Sequence, residues 1–461
     1  MRKRADGRPR FLTPARPKND APPPPALQPL FPDAGQISLH EVLHTVNAQC
    51  RFTDCLEHWN PRNRPPRPAD RVYSAAVVAY GCNLGLTRMA HSTKHVAQSA
   101  LENTVNWYFS LENLRRANNL VMALTGKLPV SRLFQRAPGQ THASSDGQKY
   151  HVAVDSIHAT YSYKYFGQDK GLVSYGFLDD RHRLFYSTTF TSSDREAPYV
   201  VDGLLHNDVV ESTIHSTDTH GFTEVNFAVS YLIKVAFAPR IKSFQDQQLY
   251  AFAGMALPDL AAYALRIGKP LDRGLIEAQW ETILRLIVSL KQKHVTASTV
   301  LKRLNFYSQH HPLYLALREL GRAVRTEFLL RYMDDQDLRK RIDDQLDKLE
   351  STHQFARAVF YGQNGQFRYA GKEEQQVADA CKRLVQNVIV CWNCLYLNQQ
   401  QVQAPPNERQ ALADAIARMS PVRWQHINLQ GEFDFSDEAL TDALRFDLNA
   451  MLSVEWETNK G

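Results

Sequence analysis

After Gly139 the chain changes its hydrophobic period, and that change limits the folds open to it. Residues 36–140 carry apolar side chains at three- and four-residue spacing, as in "SLHEVLHTVNAQ" and "SLENLRRANNLVMALTG", which predicts a helical unit. Ser38 with Glu41 forms a capping box that starts its first helix. Beyond 140, "QKYHVAVDSIHATYSYKY" turns to β-branched and aromatic residues, and "GLVSYGFLDDRHRLFYSTTFT" reads as two strands around an Asp-Asp-Arg-His turn. "APYVVDGLLH" reads as a short helix, "VVESTIHSTD" as a strand, "EVNFAVSYLIKV" as a helix and "AFAPRI" as a short strand. Residues 244–335 return to helical spacing, and a long helix is predicted from Gln336 past Glu350 to Phe360. Residues 373–461 are again mostly helical in pattern. A strand-rich block set between helical blocks predicts the α/β class with a mixed sheet. The core would occupy 141–243 and resume at 336–372, so 244–335 must be a helical insertion that leaves the core and returns to it.

Residues 1–35 are basic and then Pro-rich ("APPPPALQP"), which predicts a solvated, disordered tail. Its basic residues are not followed by an apolar segment, so it does not read as a secretory signal. No run approaches the ~18 apolar residues of a membrane helix, and the chain is expected in the cytoplasm with no membrane partner. The formal net charge of +6 suits a polyanionic partner without requiring one. Six cysteines in 461 residues imply no disulfide framework. Cys391 and Cys394 form a C-x-x-C, but the surrounding "VIVCWNCLYL" is apolar all round and predicts a buried helix rather than a zinc or redox site.

Three acids stand out by context. Asp146 in "THASSDGQ" and Asp218 in "STIHSTDTHGFTE" fall where strands are expected to end, the edge at which α/β sheets place ligands. Glu350 lies on the long helix, sharing a face with Gln354 and Arg357 at i, i+4 and i+7, while Ala356, Val359 and Phe360 fall towards the other side. A carboxylate for a metal and an Arg for phosphate on one face suit a nucleic-acid site; the plainer reading is an exposed ion-pair stripe. Carboxylates suit Mg²⁺, a hard cation that takes oxygen ligands. Among 48 acidic residues the pattern alone does not single these out, and Asp155, Asp179, Asp180, Glu224 and Asp347 compete. His215 and His220 offer a zinc reading, but no H-E-x-x-H or cysteine pair accompanies them, and they read better as ordinary polar residues.

Several strings, in order, carry a resemblance: "NLGLTRMA" (83–90), "SSDGQ" (144–148), "TDTHGFTE" (217–224) with "FAPRI" (237–241), "LESTHQFARAVF" (349–360) and "WQHINLQGEF" (424–433). They resemble the catalytic half of transposases of the Tn-three family, the TnA or class II replicative transposons. The resemblance implies an RNase H-like core of the DDE type, interrupted by a helical insertion before its last catalytic helix. It assigns Asp146 as the first catalytic carboxylate, Asp218 as the second and Glu350 as the third. The implied cofactor is a pair of Mg²⁺ ions, with Mn²⁺ able to substitute. The implied reaction is 3′-end cleavage and strand transfer in replicative transposition. The implied partners are double-stranded DNA, at transposon ends and target, and a second copy of the chain in full-length members. Arg357, with Arg240 of the F-A-P-R-I string and Gln148 of S-S-D-G-Q, is expected to contact DNA. The implied location is the bacterial cytoplasm, at the nucleoid.

The chain also departs from the family pattern. Leu349 stands where the family has the Gly of K-G-E, and the C-x-x-C stands where it has apolar or hydroxyl residues. Family members are considerably longer, with an N-terminal half that recognises terminal inverted repeats and contributes to dimerisation. The chain therefore reads as a truncated product or catalytic fragment. The alternative is a catalytically incompetent DNA-binding remnant or a regulator of an intact transposase. A weaker rival is a zinc hydrolase using His215 and His220.

Overall fold

In the computed structural model the change of period at Gly139 is a change of element type. The structure describes residues 2–3, 9–10, 30–60, 62, 65–137, 139–219, 221–242, 244–255, 265–306, 311–436, 440 and 445–453. Most of the tail 1–35, and His220, lie outside the described residues. The N-terminal helices are α1 (Leu39–Cys50), α2 (Asp70–Gly81), α3 (Leu86–His91), α4 (Gln98–Tyr108), α5 (Leu111–Lys127) and α6 (Pro129–Leu133). The capping box holds in its first half, with the Ser38 hydroxyl accepting the Glu41 N–H at 3.0 Å. The strand block contributes β1 (His142–His151), β2 (Thr160–Tyr161), β3 (Lys170–Asp179), β4 (Leu184–Thr191), β5 (Ile214–Thr217) and β6 (Ala236–Phe237). One turn of helix, α7 (Tyr163–Phe166), sits between β2 and β3. The later helices are α8 (Ala197–Leu205), α9 (Glu224–Leu232), α10 (Arg273–Lys291), α11 (Ala297–Phe306), α12 (Pro312–Asp334), α13 (Gln336–Val359), α14 (Lys372–Gln403), α15 (Arg409–Ala417) and α16 (Leu448–Leu452). Strands in mixed parallel and antiparallel pairing, with helices throughout, make this an α/β protein. Among the described residues no helix is long and apolar enough to cross a membrane.

The chain divides into two compact units whose segments alternate in sequence. The first contains Gln140–Asp146 and Arg195–Leu349, and so holds the start of β1, then β5, β6, α8 to α12 and most of α13. Here β5 is central, parallel to β1 on one side and to β6 on the other. Its helices bury an apolar cluster that includes Val201, Val225, Val229, Ile283, Ile287, Leu290 and Leu317. Each such side chain contributes about 1.5–3 kcal/mol by leaving water. Helix α9 lies so close to α12 that a Cβ added at Gly321 would stand 1.8 Å from the Glu224 carbonyl oxygen. The middle of α13 is pinned to β1, since the Gln345 side-chain amide donates to the Ser144 hydroxyl at 3.2 Å.

The second unit contains Gly147–Asp194, Glu350–Gly461 and the N-terminal helices. Its axis is α14, buried along most of its length against α2, α5, α1 and β4. Antiparallel β3 and β4 close through the Asp-Asp-Arg-His turn, as their sequence predicts. Asp179 holds that turn, accepting the backbone N–H of Arg181 and of Arg183 and the Arg183 Nε at 2.7 Å. Cys391 and Cys394 lie on α14, fully buried. Burial pushes the Cys394 thiol up to about 12, so it stays protonated at neutral pH.

Candidate functional site

The site is built on two neighbouring parallel strands of the first unit. In their register Ser144 faces Ser216 and Ser145 faces Thr217. The next residue on each strand is a carboxylate, Asp146 on β1 and Asp218 directly after β5. Parallel pairing with this register sets the two acids side by side. One expectation is corrected here, because β1 does not end at Asp146 but runs on to His151. Asp218 does stand at a strand end, as its sequence predicts.

The turn after Asp218 is fixed by short-range bonds. Asp218 Oδ1 accepts the Gly221 N–H at 3.1 Å, and the Thr217 hydroxyl donates to the Asp218 carbonyl at 3.1 Å. A Cβ at Gly221 would meet Thr217 Cβ at 2.8 Å, so this turn admits only glycine without a shift. The backbone of Arg240 borders the same turn, its N–H donating to the Thr217 carbonyl at 2.9 Å and its carbonyl accepting from the Thr219 hydroxyl at 3.3 Å. The Arg240 side chain is exposed.

A third acid joins these two. Glu196, at the N-terminal end of α8, brings a carboxylate oxygen to within 4.8 Å of those of Asp146 and Asp218, and all three residues are half-buried. Among the described residues this is the one group of three or more His, Cys, Asp or Glu side chains placed to hold a metal ion. An all-oxygen, all-carboxylate donor set fits a hard divalent cation and does not suit zinc held by imidazole or thiolate. The sequence reading missed Glu196. It lies far from Asp146 in sequence, and nothing local marks it except an acid preceding a helix that it does not itself cap.

One buried amide ties the carboxylate-bearing segments together. Asn226 on α9 is 1% exposed. Its Nδ2 donates to the Ala197 carbonyl at 2.9 Å, next to Glu196, and to the Gly221 carbonyl at 3.2 Å, at the close of the Asp218 turn. Its Oδ1 accepts from the hydroxyl of Thr223, the N-cap of α9. One side chain thus bridges the segment that carries Glu196 and the turn that carries Asp218.

The remaining sequence candidates are placed as follows. Glu350 lies on α13 in the second unit, exposed on the face it shares with Gln354 and Arg357, while Ala356, Val359 and Phe360 are buried. The neighbouring Leu349 is buried, which accounts for a Leu where a Gly was expected. Gln148 is buried, its side-chain amide donating to the His353 carbonyl at 3.0 Å and accepting from the Tyr150 hydroxyl at 2.7 Å. His215 is fully buried within β5, 2.9 Å from the Ser145 hydroxyl. Desolvation, aided by His142, lowers its pKa to about 3, so it is neutral.

Residues 41–433 match the family described as the Tn3 transposase DDE domain. The transposase of transposon Tn2501 from Escherichia coli is 34% identical over 395 residues, which are 85% of this chain and 39% of that protein. The transposase of Tn1546 from Enterococcus faecium is 31% identical over 405 residues, 87% of this chain and 40% of that protein. The gamma-delta transposase of Escherichia coli strain K12 is 30% identical over 424 residues, 90% and 41% respectively. The chain spans about two fifths of the length of these curated relatives. Two aspartates in register on parallel strands therefore lie inside a match that covers most of the sequence, and the chain belongs to the Tn3 transposase DDE domain family.

Proposed function

We propose that this chain is the catalytic region of a DDE transposase with an RNase H-like core, acting on DNA in a bacterial cytoplasm. The observation that carries the reading is the adjacency of Asp146 and Asp218 in a chain of this family. Asp146 and Asp218 are the carboxylates proposed to hold divalent cations, Glu196 adds a third beside them, and the family motif selects Glu350 as a further catalytic acid. Bound Mg²⁺ or Mn²⁺ supplies Lewis acidity at the scissile phosphate. Water attacks that phosphorus, the bond to the 3′ oxygen breaks, and the transposon end leaves as a free 3′-hydroxyl. That hydroxyl then attacks a target phosphodiester and displaces its 3′ oxygen, joining the strands. Arg240 and Arg357, both exposed, are the guanidinium groups proposed to hold phosphate oxygens.

The test is nicking of supercoiled plasmid DNA with Mg²⁺ or Mn²⁺. The wild-type chain is expected to nick only with metal, and Asp218→Ala is expected to lose that activity by a factor of 100 or more, about 3 kcal/mol of barrier. Equal nicking by both proteins would contradict the assignment. Salt-dependent DNA binding with no metal-dependent nicking would favour the remnant reading instead.

A further inference from the structure

The loop and strand that follow the Asp146 segment, all in the second unit, leave large side chains in water. Tyr163 is 89% exposed, Tyr161 67% and Ile157 92%, and Tyr165 is also exposed. Isolated apolar side chains on a surface need no explanation, but a contiguous run of tyrosines does. The run is interleaved with lysines that reach over its rings. Lys149 Nζ lies 4.1 Å and Lys164 Nζ 4.8 Å from the centre of the Tyr165 ring, and Lys170 Nζ lies 5.2 Å from that of Tyr161. The local acids face bases: Asp155 accepts from Lys170 at 2.6 Å, and Asp169 is 3.5 Å from His151.

The segment is rigidly mounted. Tyr161 pairs with Lys170 in antiparallel strands, and the Thr160 hydroxyl is 2.7 Å from that of Thr191. Phe166 turns inward, buried edge-on to His151 at 5.1 Å, in a seat that any side chain at Gly171 would fill. The N–H groups of Tyr165 and Phe166 both donate to the Ser162 carbonyl. The backbone that carries the outward rings is therefore held in place before any partner arrives, which lowers the cost of binding.

We propose that Tyr161 and Tyr163, with Lys149 and Lys164, form a platform for unpaired nucleotides of a DNA strand. The bases stack on the tyrosine rings and the phosphates meet the ammonium groups. Duplex DNA hides its base faces within its own stack, whereas single strands offer them, so exposed rings with flanking lysines fit the single strand. The proposal rests on the chain acting on DNA, but not on its cleaving it.

The experiment measures binding of a fluorescent oligothymidine and of a blunt duplex by anisotropy, in EDTA so that cleavage is absent. The double variant Tyr161→Ala/Tyr163→Ala is expected to bind the single strand at least tenfold more weakly, since each stacked base is worth about 5- to 150-fold. Its duplex affinity is expected to stay within about twofold of the wild type on the same argument. Tyr163→Trp retains single-strand binding. Lys149→Ala/Lys164→Ala lowers the slope of log affinity against log salt by about 0.7 per lysine. Binding is read in EDTA and nicking with Mn²⁺, so a failure of this proposal and a failure of the catalytic one are told apart. Unchanged single-strand affinity in the double tyrosine variant would overturn it. So would no single-strand binding by the wild type, equal loss for duplex and single strand, or loss of self-association with DNA binding intact.

Discussion

Asn226 links the two carboxylate-bearing segments, because its amide donates to the Ala197 carbonyl beside Glu196 and to the Gly221 carbonyl that closes the Asp218 turn. Asn226→Ala removes two buried amide-to-carbonyl hydrogen bonds, a loss of about 1–3 kcal/mol that denaturant unfolding would measure. The same variant is expected to need more Mn²⁺ for half-saturation, because Glu196 and Asp218 then separate; unchanged Mn²⁺ affinity would assign Asn226 to packing alone. The buried histidines give a pH prediction. His215 is held neutral with a pKa near 3, and His426, stacked on Phe31 and 2.9 Å from Asn393 Oδ1, near 4. Both values lie below the 6.5 of an unfolded histidine, so below that pH the unfolded chain binds more protons. Stability is fully present above pH 6.5 and falls as the pH drops towards 4 and 3, by at most about 1.4 kcal/mol per unit for fully buried His215. Urea melts across that range would show the slope, and His426→Gln is expected to flatten it. Sequence pattern narrowed the acids to strand ends and one helix face, and the family resemblance chose among them. Glu196 was invisible, because three-dimensional convergence has no sequence period.

At the level of elements, periodicity placed most of what forms. The helix over Glu224–Leu232, the β3–β4 hairpin and the long α13 all follow from apolar spacing and turn residues. Two features did not. The helix read through "ADRVYSAAVVAYGCNLGLTRMA" breaks after Gly81, where Asn83 and Gly85 take positive φ. The cause is remote: Asn83 Nδ2 donates to the carbonyls of Gly362 and Gln366, some 280 residues away. Likewise β1 passes straight through Asp146, lying between β5 and β3 in the sheet. The close approach of α9 and α12 gives a sharp expectation. Gly321→Ala drives a methyl group into the Glu224 carbonyl and is expected to cost at least about 1–3 kcal/mol by overpacking, read as a lowered Tm. Gly274→Ala, near the start of α10, meets only Asp272 Oδ1 at an ordinary contact distance of 3.6 Å and is expected to leave Tm nearly unchanged or raised.

Across the whole molecule, sequence totals constrained class more than mechanism. A mild basic excess suits a polyanionic partner, and five of the six free cysteines are buried. Cys381, Cys391 and Cys394 are fully buried with thiols pushed well above their ordinary range, so Ellman's reagent is expected to reach them only on unfolding. Rapid native labelling would show that α14 opens. The central claim is that Asp146 and Asp218, side by side on parallel strands and joined by Glu196, hold the divalent cation. Calorimetric titration of Mn²⁺ into the chain tests it most directly. The account predicts saturable, stoichiometric binding by the wild type and its loss in Asp146→Asn/Asp218→Asn, with far-UV dichroism unchanged. Undiminished stoichiometric binding by that double variant would contradict it.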